Sequence, residues 1–314
     1  MNQMDLFMRE KISENKNIMR NGFIVSDDIR VSESTEGSED KFFIVWQNKK
    51  YLVKDSSYNK RRKQKSLAPF CEYVGSHFTR FAGIECQNTF LGKYHDRNVV
   101  ICEDIFKDFT FRPFKEMHQS SAGTDLGNKE YTYNDVLYVL EKKKGLYGSH
   151  LDNVISEFWK RFLLDAILGN RDRHEANWGF VKQGKDTYLA PVFDNGSSLF
   201  PDVDLSKIYQ KDFCMERVYR IPASQFRMWK PGIEDRAMRT NFWEIIRDFS
   251  KDYFTDELSW AKNINVLDAI KYSVKDVPKD YAHWFSKIIY LRFEALIMQN
   301  DYDKAWENAS NLFS

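Results

Sequence analysis

The chain has 314 residues, 42% hydrophobic and 30% charged, with a formal net charge of +1. That describes a globular protein able to bury its own core without disulfide or metal staples, and long enough for one enzyme built from two lobes. The near-neutral charge excludes a general attraction to nucleic acid or anionic membrane, and no run of about 18 apolar residues is present to form a transmembrane helix.

Four scattered cysteines (Cys71, Cys86, Cys102 and Cys214) form no C-x-x-C pair and read as reduced thiols. The charged N-terminus lacks the apolar stretch of a secretory signal. The expected location is therefore the cytoplasm, with export by a signal-less route left open.

In chain order, Phe23-Ile24-Val25 opens a strand-like region. The polar stretch Ser32–Asp40 follows. Phe42–Trp46 and Tyr51–Val53, joined by Gln47–Lys50, read as a β-hairpin. A basic loop over 59–65 is expected to be solvated. Phe70, Val74, Phe78 and Phe81 recur at helical spacing between Pro69 and Gly83. A second hairpin is expected from Thr89–Leu91 and Asn98–Ile101, around Tyr94–Arg97. Beyond about residue 104 the pattern turns helical, with candidates over 133–141, 154–168, 240–262, 265–274 and 280–312. One β interruption, Trp178–Val181 and Tyr188–Phe193, lies inside that region.

The expected fold class is α+β: a small β-rich N-lobe (1–104) and a large, mainly helical C-lobe (105–314) with an embedded hairpin, as in bilobal protein kinases. Layout alone says little about function.

The informative residues surround that inner hairpin. Asp172 and Asn177 stand at D-x-x-x-x-N spacing after an apolar helix, and Asp194-Asn195-Gly196 follows the hairpin as a D-x-G turn. Phosphoryl transfer from ATP needs a carboxylate to orient the attacking hydroxyl and accept its proton. It also needs hard oxygen ligands for Mg²⁺ and a lysine on the phosphates. Asp172 suits the first role, Asn177 and Asp194 the second. Lys54, ending Tyr51-Leu52-Val53-Lys54, suits the third, with Glu72 on the next helix as its partner. Ser32–Asp40 would cover the phosphates through Ser34, Thr35, Gly37 and Ser38, although it holds one glycine and no G-x-G-x-x-G. His174 is expected to orient the loop or contribute to the nucleotide site. Taken singly, each residue also reads as a turn former, a helix cap or a solvated charge; their joint order favours the catalytic reading. A basic cluster, Lys207, Lys211, Arg217, Arg220, Arg227 and Lys230, would favour acidic partners.

The segment Leu168–Phe180 with Ala190–Ser197 resembles the HipA-like serine/threonine kinases, particularly their short members. Tyr51–Lys54, Phe70–Val74 and Phe90–Tyr94 are similar in order and spacing, and the likeness covers roughly residues 20–205. The resemblance implies Asp172 as catalytic base, Asn177 and Asp194 as Mg²⁺ ligands and Lys54 on the ATP phosphates. It also implies an adenine hinge near Glu103-Asp104-Ile105 and autophosphorylation in Ser32–Asp40. Protein Ser/Thr substrates, a toxin or effector role, and an antitoxin or other regulatory protein as partner are further implications. Full-length members carry an extra N-terminal subdomain that this chain is not expected to hold. A lipid or small-molecule kinase, whose D-R-H-x-x-N loop Asp172–Asn177 also fits, and an ATP-binding pseudokinase are the competing readings.

Overall fold

The computed structural model describes residues 21–32, 41–56, 58–59, 64–106, 110–122, 130–146, 151–184, 186–229 and 239–313. Its small lobe is built on a twisted sheet of six strands: β1 (Phe23–Val25), β2 (Arg30–Ser32), β3 (Lys41–Trp46), β4 (Lys49–Asp55), β5 (Thr89–Tyr94) and β6 (Arg97–Glu103), in spatial order β1-β5-β6-β4-β3-β2. β3 and β4 pair in antiparallel register from Lys41↔Lys54 to Trp46↔Lys49. Only Gln47 and Asn48 remain in the turn, at φ of 50° and 60°, the paired left-handed conformation that suits the twist of a tight hairpin. The expected four-residue connection is therefore two residues long, and Lys49 and Lys50 belong to the strand.

Helix α1 (Ala68–Phe81) lies on β4, β5 and β6. Its residues from Ala68 to Thr79 are all buried, not just the Phe70/Val74/Phe78 face. The second face is covered by the large lobe: α1 packs on α8 (Val266–Val274), where His77 meets Tyr272, and Phe70 meets Tyr281 beyond that helix.

The large lobe is arranged around α4 (Leu151–Leu168), whose Trp159, Leu163, Ala166 and Ile167 are fully enclosed. Gly169 at φ +64° ends this helix and starts the loop that carries Asp172. The inner hairpin is β8 (Gly179–Gln183) with β9 (Asp186–Leu189), and an unforeseen third strand, β7 (Thr110–Pro113), pairs with β8. The stretch after Leu189 leaves the hairpin. Val192 bridges instead to Cys86 of the small lobe, donating to Glu85 O at 2.9 Å and accepting from Gln87 N at 2.8 Å.

Two further helices lie outside the expected set: α2 (Phe114–Ala122) and α5 (Lys211–Tyr219). α3 (Tyr133–Lys142) is closed by a capping box between Thr132 and Asp135. The span read as one helix over 240–262 is α6 (Phe242–Tyr253) and α7 (Thr255–Lys262). The chain breaks where Phe254 turns inward to stack on Trp159 at 4.2 Å. The span read over 280–312 is α9 (Lys279–Arg292), a π turn at Phe293–Ile297, and α10 (Tyr302–Leu312), which restarts with Asp301 accepting from Lys304 N.

Candidate active site

Lys54 ends its strand pair buried at 7% exposure, with its ammonium 2.7 Å from Glu72 Oε2 and 2.8 Å from Asp194 Oδ1. Three elements distant in sequence (β4, α1 and the D-x-G turn) therefore meet at one nitrogen. Burial alone would lower the Lys54 pKa; the Glu72 and Asp194 carboxylates outweigh it and hold the pKa well above 10.5. Burial would likewise raise Asp194, but Lys54 dominates and lowers it to about 2. Glu72 uses its other oxygen to accept from Asn195 N at 2.9 Å, so the same side chain fixes both the lysine and the turn.

Asp194 has φ +58°, a left-handed conformation unusual for a residue with a side chain. Asn195 is fully buried, its Nδ2 donating to Ser76 Oγ at 3.2 Å. Helix and turn approach so closely that a Cβ on Gly75 would stand 2.8 Å from Asn195 Cβ.

Asp172 is exposed, and Ser197 Oγ donates to its Oδ2 at 3.3 Å. Asn170 Oδ1 accepts from the Asp172 backbone amide at 3.1 Å. Asn177 donates through Nδ2 to Asp172 O at 3.0 Å, which assigns its amide oxygen to whatever else the side chain binds. His174 accepts from Ala176 N at Nδ1, 3.2 Å away, and its own backbone amide donates to Asp172 O, so it shapes the loop from inside.

Arg173 joins the two halves of the site. It donates to Phe193 O, to Asn177 O at 3.1 Å and to Asn195 Oδ1 at 2.8 Å. Its charge is met by Asp165, whose Oδ2 accepts from Nε at 3.0 Å and Oδ1 from Nη2 at 3.2 Å. Asp165 is 6% exposed and also accepts from Asn170 Nδ2. Asp165, Asn170, Arg173 and Asn195 were not singled out in the sequence. The available clue was a carboxylate inside the apolar run Phe162-Leu163-Leu164-Asp165-Ala166-Ile167-Leu168, where an unpaired charge would be costly.

At the edge of the small sheet, Gln87 Nε2 donates to Glu103 O at 2.8 Å and Asn88 Nδ2 to Glu103 Oε2 at 2.8 Å. Ile105 follows, next to an aromatic group of Phe106, Phe111 and Phe193 with centroids 4.4–5.4 Å apart. Ser34, Gly37 and Ser38 lie outside the described residues, as does Lys230.

Several residues of the basic cluster have carboxylate neighbours. Lys207 pairs with Asp204, Lys211 with Asp303, Arg220 with Glu216 and Arg227 with Glu130, while Arg217 lies 3.3 Å over the Phe213 ring.

Residues 33–251 match the family described as HipA-like C-terminal domain. The serine/threonine-protein kinase CtkA of Helicobacter pylori is 29% identical over 215 residues, 66% of this chain and 63% of that protein, so the match spans less than two thirds of the relative's length. The crystal structure of a Helicobacter pylori proinflammatory kinase, CtkA, has a TM-score of 0.74 at 23% identity, covering 93% of this chain and 98% of that one. The complex of HipA, HipB and operator DNA from Shewanella oneidensis gives a TM-score of 0.48 at 12% identity, over 98% of this chain and 73% of that chain. The fold is that of the kinase-like proteins, and with the family match running across more than half its length the chain belongs to the HipA-like C-terminal domain family.

Proposed function

We propose that the protein is an ATP- and Mg²⁺-dependent kinase that transfers the γ-phosphoryl group to serine or threonine hydroxyls of proteins. The observation that carries this reading is the Lys54 ammonium held between Glu72 and Asp194. That contact joins a small-lobe lysine to the turn expected to hold the metal.

In this reading the small lobe spans 1–104 and the helical lobe 105–314. Lys54 stays protonated at neutral pH, as its raised pKa requires, and grips the nucleotide phosphates. Asp194 and the amide oxygen of Asn177 would hold Mg²⁺. The donor set, a carboxylate and an amide oxygen, is made of hard oxygens that suit that ion. Bound there, Mg²⁺ would neutralise charge on the transferring group. Asp172, exposed and tethered to Ser197 through one oxygen, orients the acceptor hydroxyl and takes its proton. The Ile105 backbone and the Phe106–Phe193 rings would receive the adenine beside Glu103. Ser34, Gly37 and Ser38 would cover the phosphates, with autophosphorylation in that loop, and His174 would support the loop that faces the nucleotide. A cytoplasmic toxin or effector kinase, restrained by an antitoxin or other regulatory protein, is the corresponding biological role. No helix of the described residues is long and apolar enough to cross a membrane.

The test is incubation with ATP and Mg²⁺, followed by intact mass and by phosphate transfer to a mixed Ser/Thr peptide pool and to lipid acceptors. Phosphate should appear on the protein and on peptides, and Asp172→Asn should slow transfer by about 10²–10⁴-fold. Asp194→Asn should abolish the Mg²⁺ dependence of nucleotide binding. Transfer to lipid alone, or an Asp172→Asn rate equal to wild type, would reject the reading.

A further inference from the structure

Glu175 lies in the loop between Asp172 and Asn177, yet its side chain has no part in the site described above. Asp172 is exposed; Glu175, three positions on, is buried at 2% exposure. Among the described residues neither of its carboxylate oxygens has a hydrogen-bond partner. The Lys115 ammonium stands 3.7 Å from Oε1, an ion-pair distance beyond hydrogen-bond reach. Burying a carboxylate this way carries a cost that an apolar side chain would avoid.

The start of α2 offsets that cost. The first two amides of this nine-residue helix are spent on the loop: Phe114 N donates to Trp178 O at 3.0 Å and Lys115 N to Glu175 O at 3.1 Å. The positive end of the helix and the Lys115 ammonium therefore both lie beside residue 175. The seat is closely fitted. The Phe114 ring stacks on Trp178 with centroids 4.4 Å apart, and Trp178 Nε1 donates to Tyr131 OH at 3.1 Å. A Cβ on Gly179 would stand 2.7 Å from Pro113 Cα, so the chain after the loop passes the start of α2 only because Gly179 lacks one. The loop is thus fastened twice. Arg173 ties it to Asp165 and to Asn195 of the D-x-G turn, and Glu175 ties it to α2. Asp172 precedes the first fastening and Asn177 follows the second.

We propose that Glu175 and Lys115 are positioning residues for phosphoryl transfer. Their charge pairing beside the N-terminus of α2 sets where the Asp172 carboxylate stands relative to the Asn177 amide oxygen. The catalytic consequence rests on the kinase reading; the hold on the loop does not. Both residues act through the loop rather than on the reacting atoms, and α2 becomes part of the apparatus that aligns them.

Glu175→Gln keeps the shape and removes the charge, and Lys115→Met does the same at a residue whose side chain is 33% exposed. Each full-length variant and the double variant would be assayed for peptide phosphorylation and for hydrogen–deuterium exchange of the amides over 170–178. Each single change should lower kcat by about 10–10²-fold and leave KM for ATP unchanged. Each should also speed exchange over 170–178 more than elsewhere in the chain. The double variant should be no slower than either single one, because the two halves of one pair are lost only once. Unaltered kcat and exchange in Glu175→Gln, losses that multiply in the double variant, or faster exchange spread evenly along the chain would overturn the proposal. A wild-type protein that transfers no phosphate would reject the kinase reading instead, and the exchange pattern alone would then decide whether the pair holds the loop.

Discussion

The Tyr73 hydroxyl donates a 2.8 Å hydrogen bond to Asp276 Oδ2, and Asn21 Nδ2 donates to both the same carboxylate oxygen (2.7 Å) and Tyr73 OH (2.9 Å). Tyr73 follows Glu72 in α1, while Asp276 follows α8 of the large lobe. The helix that positions Lys54 is thus fastened to the opposite lobe by a charged hydrogen bond. Tyr73→Phe removes the donor but keeps the ring packing. It should cost about 1.5–3 kcal/mol in urea unfolding. Phosphoryl transfer should fall along with stability; an unchanged unfolding midpoint would show that the bond contributes nothing.

The same interface should respond to acid. His77 is 7% exposed, stacks on Tyr73 at 3.9 Å, and has its pKa lowered to about 4 by burial, with Arg80 and Lys275 adding and Asp276 opposing. The unfolded chain binds the proton near pH 6.5, the folded protein only near pH 4, so protonation favours unfolding as pH falls through that window. This residue's stability contribution is complete above pH 6.5 and declines by about 3 kcal/mol on approach to pH 4. Denaturant midpoints measured across that range should flatten in His77→Gln; an unaltered slope would assign the acid sensitivity elsewhere.

Gly75 is required by proximity rather than by its own backbone angle. A Cβ there meets Asn195 at 2.8 Å and Asn195 Cγ at 3.3 Å, both in the turn that carries Asp194. Gly75→Ala should cost about 1–3 kcal/mol through overpacking and displace the turn. Nucleotide binding in the presence of Mg²⁺, followed by calorimetry, should weaken more than binding in its absence. Equal affinity under both conditions would mean the turn had not moved.

Asp165→Asn leaves Arg173 buried without its counter-charge. Breaking one side of a buried pair typically costs about 3–5 kcal/mol. The expected result is a thermal midpoint well below wild type, together with loss of transfer, because Arg173 holds both Phe193 O and Asn195 Oδ1. A variant as stable as wild type would mean that other groups carry that charge.

The elements legible in the sequence were those encoded locally. The apolar, β-branched and aromatic runs Phe42–Trp46 and Tyr51–Val53, the helical spacing of Phe70, Val74 and Phe78, and the D-x-x-x-x-N and D-x-G spacings each lie within a short window. α2 escaped because its apolar residues are few, and α5 because its apolar residues mark no single buried stripe: it buries only Cys214 and Val218. Asp165 and Arg173 escaped for another reason. Two charges eight positions apart carry no mark that they will be buried together, and the same letters on a surface helix would mean a solvated pair. The break at Phe254 was invisible because its cause, the Trp159 ring, is supplied from a distant helix.

Because α1 rests on the small sheet on one side and on α8 on the other, it belongs wholly to neither lobe. The lobes cannot swing apart as two rigid halves without peeling that helix from one of its seats. In the proposed kinase, widening the cleft to admit or release a nucleotide would therefore strain the lysine–glutamate contact itself, and a partner that wedged the seam open would silence the site without touching it.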